Sequence, residues 1–166
     1  MEQITFLIVE DSPTMRQLLS FSLKRFKGCK IIEAIDGVDA LKKLASEEVD
    51  MILADINMPV MDGLTALTYI MMERPTPCLM VSSLTQDGAL ATFEALELGA
   101  VDYVAKPSGT ISMDIATQAE EIVAKVRTAA RARLRRRLSN SAKQSKQDKD
   151  RRASSFSQVI GQTSKI

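Results

Sequence analysis

Five apolar runs alternate with amphipathic stretches along the chain: Ile4-Thr-Phe-Leu-Ile-Val9, Lys30-Ile-Ile-Glu-Ala34, Met51-Ile-Leu-Ala54, Cys78-Leu-Met-Val81 and Asp102-Tyr-Val-Ala105. The runs are continuous rather than alternating, which predicts strands buried on both faces of a parallel sheet. Between them the apolar positions recur at helical spacing. Ser12-Pro13 offers a cap and a first-turn proline ahead of Met15, Leu18, Leu19, Ser22 and Phe26. Asp36-Gly37 precedes Val38, Leu41 and Leu44, and Asp62-Gly63 precedes Leu64, Leu67 and Met71. A fourth helix is expected over about 89–98, ending at Gly99, where a glycine can close it. A fifth starts near Ser112 or Asp114. The alternation predicts an α/β, doubly wound, five-stranded parallel sheet with helices on both faces, because right-handed crossovers place them there.

The fifth pattern outruns such a domain. Ile115, Ala119, Ile122, Val126 and Ala129 recur near every 3.5 residues, and helix formers continue to Leu138. About 25 residues of helix span about 37 Å, more than one side of a small sheet. From Ser139 to Ser157 the composition turns to Ser, Gln, Lys and Asp, that of a linker. The expected organisation is a domain over 1–122, a basic helical extension over 123–138 and a polar linker or tail over 139–166.

Charge follows the same division. Residues 1–122 carry 9 Lys/Arg and 19 Asp/Glu, whereas residues 123–166 carry 13 and 2, so an acidic domain precedes a basic tail. No window approaches a membrane span, and the start lacks the pattern of a signal peptide, which predicts a cytoplasmic protein. Cys29 and Cys78 make neither a metal spacing nor a disulfide framework. The chain has no histidine, which excludes Ser-His-Asp and Cys-His catalysis and histidine metal sites within it. Its chemistry must run on carboxylates, hydroxyls, lysines and backbone.

Ligands of doubly wound sheets bind beyond the carboxyl ends of the strands. The first run ends in Glu10-Asp11, the third in Asp55, the fourth in Ser82-Ser83 and the fifth in Lys106. In the common flavodoxin-like order, strands one and three are neighbours about 4.8 Å apart, which crowds Glu10, Asp11 and Asp55 together. Two unit charges at about 5 Å repel by about 3 kcal/mol at an effective dielectric of 20. The cluster should therefore hold a cation or a proton. Oxygen ligands with retained water favour Mg²⁺ or Ca²⁺ over zinc, with Mg²⁺ preferred, and the backbone carbonyl of Asn57 is a further candidate ligand. Beside a metal, a carboxylate can attack phosphorus and form an aspartyl phosphate, with Lys106 and the Ser82 hydroxyl stabilising the phosphoryl oxygens. Each residue alone has an ordinary loop or turn reading; their arrival together at successive strand ends does not.

Phe6-Leu-Ile-Val-Glu-Asp-Ser12, Ala54-Asp55-Ile-Asn-Met-Pro-Val-Met-Asp-Gly63, Val81-Ser-Ser83 and Tyr103-Val-Ala-Lys-Pro107 together resemble the receiver domain of two-component response regulators, a flavodoxin-like (CheY-like) fold. The resemblance covers about 1–122. It implies that Asp55 accepts a phosphoryl group from a partner histidine kinase and that Glu10 and Asp11 serve Mg²⁺. It further implies that Ser82 is the switch hydroxyl, Tyr103 the switch aromatic and Lys106 the family's lysine. Ser82 stands where threonine is commoner, and Ser83 offers a second hydroxyl beside it.

Val81-Ser-Ser-Leu-Thr-Gln-Asp-Gly88 and Ala95-Leu-Glu-Leu-Gly-Ala-Val-Asp-Tyr-Val-Ala-Lys-Pro-Ser108 narrow the likeness to the receiver half of the chemotaxis protein-glutamate methylesterase family (CheB). That family joins its receiver through a linker to an esterase domain. Without a histidine this chain cannot assemble the esterase triad, so it is expected to be no methylesterase by itself, and either part of a longer regulator or a stand-alone receiver. The implied partners are a chemotaxis-type histidine kinase and its own or a partner's methylesterase-like effector domain. The implied chemistry is self-phosphorylation from small phosphodonors and autodephosphorylation. A pseudo-receiver acting only as an interaction module is the alternative of another class, opposed by the complete acid, hydroxyl and lysine set. For the basic tail, a solvated linker helix is preferred to a protein contact. Nucleic acid comes last, because the tail has no helix-turn-helix pattern and only one aromatic, Phe156. The apolar seam before Arg131 also permits a weak helical dimer.

Overall fold

The structure is a computed structural model that describes residues 3–83, 85–106, 114–140 and Ile160, without the side chains of 114–116 and 132–140. In chain order the elements are β1 (Thr5–Val9), α1 (Pro13–Leu23), β2 (Lys30–Ala34), α2 (Gly37–Ser46), β3 (Met51–Asp55), α3 (Gly63–Glu73), β4 (Cys78–Ser82), α4 (Gln86–Leu98), β5 (Asp102–Ala105) and α5 (Asp114–Asn140). All strands are parallel, in the order β2-β1-β3-β4-β5. This is the flavodoxin-like arrangement, with β1 beside β3.

The period-two alternation of the strands builds two apolar layers. Leu7, Val9, Ile52, Ala54, Cys78 and Met80 pack with Leu41, Leu67, Ile70 and Ala95 of α2, α3 and α4. Phe6, Ile8, Met51, Leu53, Leu79, Val81 and Val104 pack with Leu19 and Leu23 of α1 and Ile122 and Val126 of α5. The inner strands β3 and β4 are buried throughout, as continuous apolar runs predict. The outer strands are not: Lys30 and Glu33 of β2 and Tyr103 of β5 are exposed, because each edge has a neighbour on one side only.

Helix starts follow their capping residues. Asp36, Asp62 and Thr85 accept N–H donors from Asp39, Thr65 and Gly88 at 2.8, 2.8 and 3.0 Å. Thr85 explains why α4 begins at Gln86 and not near residue 89. Its first three residues, Gln86, Asp87 and Gly88, carry no apolar side chain for periodicity to register. The other end of α4 falls at Gly99, with φ +118°.

Part of the apolar seam of α5 is used internally: Ala119, Ile122 and Val126 are buried, as is Ala130, and Ile122, Val126 and Ala130 lie in the layer shared with α1, while Ala129 is half-buried. The helix continues to Asn140, and its 27 residues span about 40 Å. The Ser112 start, the Lys106–Pro107 bond and residues 141–166 other than Ile160 lie outside the described residues, as do the side chains of Arg133, Arg135, Arg136 and Arg137. Ile160 is half-buried against the α2–α3 layer.

Gly63 sets how closely α3 approaches the end of β3. A Cβ there would lie 2.2 Å from the Asp55 carbonyl oxygen and 2.9 Å from Ile56 Cα, both backbone atoms that cannot step aside. Gly63→Ala should destabilise the fold by about 2 kcal/mol or more, measured by urea denaturation. An unchanged midpoint would show that α3 is not seated this tightly.

Candidate phosphoryl-acceptor site

Three strand ends deliver the charged groups. Glu10 follows β1, Asp55 is the last residue of β3, and Lys106 follows β5. Parity places them on one side: Glu10 follows Phe6 and Ile8, Asp55 follows Met51 and Leu53, and Lys106 follows Val104, all in the α1–α5 layer. Glu10 and Asp55 are buried, whereas Asp11 is exposed. One carboxylate oxygen from each of Glu10, Asp11 and Asp55 lies within 4.8 Å of the others.

The Lys106 ammonium answers part of this charge. It donates to Asp55 Oδ2 at 2.8 Å and stands 3.9 Å from Glu10 Oε2. Asp55 Oδ1 accepts the Asn57 N–H at 3.3 Å, and Glu10 Oε1 accepts the Ser12 N–H at 3.1 Å. Glu10 Oε2 is buried with no hydrogen-bond partner among the described residues. Burial first, then the neighbouring Asp55 charge, push the Glu10 carboxyl up to about 8. The Ser12 N–H and Lys106 only partly oppose this, and a hydrogen bond with Asp11 adds to the rise. Three acids facing one ammonium therefore favour a bound proton or a cation. The orphaned oxygen and the all-oxygen donor set fit a hard divalent ion such as Mg²⁺.

Ser82 belongs to the other parity, with Cys78 and Met80, so its side chain is committed to α4. Its Oγ lies 3.1 Å from the Gly88 carbonyl oxygen and 2.6 Å from Thr92 Oγ1, which is itself 2.7 Å from the same carbonyl. Ser83, by contrast, is half-buried and its hydroxyl meets Thr85 Oγ1 at 3.1 Å. Of the two adjacent hydroxyls, Ser82 is thus the one joined to the body of α4.

Tyr103 sits on edge strand β5 and is partly exposed. The Lys125 ammonium of α5 lies 4.6 Å from the ring centroid and donates to the Tyr103 carbonyl oxygen. It also faces Asp102 at 3.6 Å and Glu121 at 3.3 Å.

The structure thus brings Glu10, Asp11, Asp55 and Lys106 together, puts Ser82 at the end of β4 and leaves Tyr103 within the neighbouring β5, in register with Met80. Arg16, Thr92 and Lys125 escaped the sequence reading. Arg16 donates to the Glu10 and Asp11 carbonyls at 2.8 and 3.2 Å, which fixes the acidic turn from the first helix. A threonine four residues after Gly88 was the only trace of the Ser82 network, and lysines on a helix surface carry no signal of a ring beneath them. A cavity of 440 Å³, lined by Met71, Pro75, Pro77, Gly99, Val101 and Lys125 among others, contains none of Glu10, Asp11, Asp55, Ser82 or Lys106. Cys78 is buried, and burial pushes its thiol up to about 12, far from a reactive thiolate.

An acidic cluster and a lysine at the carboxyl ends of a β2-β1-β3-β4-β5 sheet define a receiver. The profile of the response regulator receiver domain matches residues 6–118, and the chain belongs to that family. Within it, the similarity runs to the receiver region of protein-glutamate methylesterases. The chain is 54% identical over 134 residues to protein-glutamate methylesterase/protein-glutamine glutaminase 2 of Carboxydothermus hydrogenoformans, covering 80% of this chain and 38% of that protein. It is 54% identical over 130 residues to the corresponding protein of Caldanaerobacter subterraneus, covering 78% and 35%. The chain thus spans less than two-fifths of these curated relatives. Among solved structures, the response regulator domain of Thermotoga maritima CheB superposes with TM-score 0.69 at 40% identity, over 78% of this chain and 98% of that one. Chemotaxis response regulator CheY4 of Vibrio cholerae gives TM-score 0.63 at 27% identity, over 77% and 99%. Among the described residues, no helix is long and apolar enough to cross a membrane.

A carboxyl whose pKa is higher in the folded than in the unfolded chain favours folding when protonated. The Glu10 contribution is therefore complete below about pH 4.5 and is lost as pH rises from there through about 8. In metal-free protein, wild type should lose stability relative to Glu10→Gln across that window, measured by denaturation at a series of pH values. Parallel curves would contradict the burial of a titrating Glu10.

Proposed function

We propose that the chain is a phosphorylation-dependent signalling switch of a two-component, chemotaxis-type system, with Asp55 as the phosphoryl acceptor. The observation that carries the reading is the buried Asp55 carboxylate, held by Lys106 at 2.8 Å and within 4.8 Å of the Glu10 and Asp11 oxygens. A carboxylate oxygen of Asp55 attacks phosphorus, the bond from phosphorus to the kinase imidazole breaks, and an acyl phosphate forms on Asp55. Lys106, already at the carboxylate, stabilises the charge of the transferring group. Glu10, Asp11, Asp55 and the Asn57 backbone carbonyl would hold Mg²⁺, which supplies charge neutralisation for the phosphoryl oxygens when bound.

Residues 1–122 serve as the receiver. Residues 123–138 form a basic extension of α5, and 139–166 a polar linker or tail. The kinase is of chemotaxis type, and the names of the relatives support a methylesterase-like domain as the effector. Self-phosphorylation from small phosphodonors and autodephosphorylation are the chain's own reactions, and the cytoplasm is its expected compartment. Ser82 is the hydroxyl that answers the phosphoryl group, and Tyr103 follows by turning inward. Because Ser82 is bonded to Gly88 and Thr92, its movement must be felt by α4. Leu90, Phe93 and Tyr103 are exposed on the adjoining surface of α4 and β5, which makes that surface the one a partner reads.

Incubation with acetyl phosphate and Mg²⁺ should add one phosphoryl group to wild type, none to Asp55→Asn and none without the metal, read by intact mass. A gain that survives in Asp55→Asn would reject the acceptor assignment. Ser82→Ala should still take the group on Asp55, while the amide NMR shifts of α4 and β5 that accompany phosphorylation of wild type fail to appear. Shifts of wild-type size in Ser82→Ala would show that the signal bypasses this hydroxyl.

A further inference from the structure

The resting orientation of Tyr103 has an identifiable support that the phosphoryl site does not contain. Tyr103 is 42% exposed on an edge strand, so packing alone does not dictate its position. The Lys125 ammonium lies 4.6 Å from its ring centroid, inside the range of a cation–π contact. That ammonium is itself held in place. It donates to the Tyr103 carbonyl oxygen and faces the carboxylates of Asp102 and Glu121 at 3.6 and 3.3 Å, with only 23% of its side chain exposed. Glu121 is one helical turn earlier on α5, and Asp102 is the residue before Tyr103. The lysine therefore keeps its place whether or not the ring is above it.

This asymmetry gives the contact a direction. The bond to the backbone carbonyl and the two ion pairs do not involve the ring and survive its rotation. The cation–π contact exists only while the ring is turned outward. We propose that Lys125 is a positioning residue that holds Tyr103 in its outward, resting orientation and so sets how readily phosphorylation is converted into a change of the β5 surface. The inference rests on the reading of Asp55 as phosphoryl acceptor and Tyr103 as the aromatic that turns inward.

Removing the cation then favours the inward state, and by linkage the phosphorylated-like state becomes easier to reach. The probe is beryllium fluoride with Mg²⁺, a phosphoryl mimic, titrated against wild type and variants while the amide NMR shifts near Asp55 are followed. Lys125→Gln should lower the half-saturating concentration about 3- to 10-fold, the range expected for a partly exposed cation–π contact. Lys125→Arg, which keeps a cation over the ring, should stay within about two-fold of wild type. In a Tyr103→Ala background, Lys125→Gln should have no further effect, since the ring it acts on is gone. A Lys125→Gln value equal to wild type, or an equal shift with and without the Tyr103 ring, overturns the role of Lys125 and leaves the acceptor reading intact. Absence of any phosphoryl gain by intact mass in wild type given acetyl phosphate and Mg²⁺ overturns the acceptor reading itself, and the inference with it.

Discussion

The arrangement depends on one electrostatic imbalance: three carboxylates share the end of the sheet with a single ammonium. Lys106 satisfies Asp55 at 2.8 Å but reaches Glu10 only at 3.9 Å, and a buried Glu10 oxygen is left without a hydrogen bond. In a low-dielectric site such a deficit is costly, and burial first, then the Asp55 charge, push the Glu10 carboxyl up to about 8. The fold sustains the cluster because rigid backbone surrounds it. Arg16 ties down the turn after β1, and Gly63 lets α3 press directly against the carbonyl of Asp55. A site held this far from charge balance is suited to receiving positive charge.

Strand parity separates the acidic cluster from the Ser82 hydroxyl. Asp55, Glu10 and Lys106 follow the residues of the α1–α5 layer, while Ser82 follows those of the α2–α4 layer. One strand of the sheet, β4, therefore carries a side chain that can answer an event beside β3 while bonded to α4. The hydroxyls of Ser82 and Thr92 and the Gly88 carbonyl lie within 3.1 Å of one another, so displacement of any one reorganises the first turns of that helix. Tyr103 stands at the open edge of the sheet, with the Lys125 ammonium 4.6 Å from its ring centroid.

Much of the fold was legible because its signals are local. Continuous runs such as Met51–Ala54 require two covered faces, and five of them separated by helical patterns leave few topologies. Asp36, Asp62 and Gly99 mark helix ends by their own chemistry. The missed beginning of α4 has an equally local cause, since capping by Thr85 is visible as a residue type but Gln86, Asp87 and Gly88 add nothing to a hydrophobic period. The expectation of double burial failed at β2 and β5 because Lys30, Glu33 and Tyr103 lie on strands with one neighbour, and strand order is not a local property. The seam of α5 was read correctly as apolar, and Ile122 and Val126 within it are covered inside the chain. Periodicity shows that Ile122 and Val126 share a face, and only the packed α1 shows what covers it.

By itself the sequence determined the acids and the lysine, because their positions at strand ends follow from counting along runs whose direction is common to the whole sheet. It also determined that the chemistry would use oxygen and nitrogen groups other than histidine. Tertiary structure alone decided the pairings: Lys106 with Asp55 across 51 positions, Ser82 with Thr92, Lys125 with the ring of Tyr103. The physical reason is distance. Contacts such as Lys106 with Asp55 and Lys125 with Tyr103 span stretches of chain over which no propensity or periodicity extends. Within about 5 Å, where charge, hydrogen bonding and ring contacts act, only the folded chain specifies the partner.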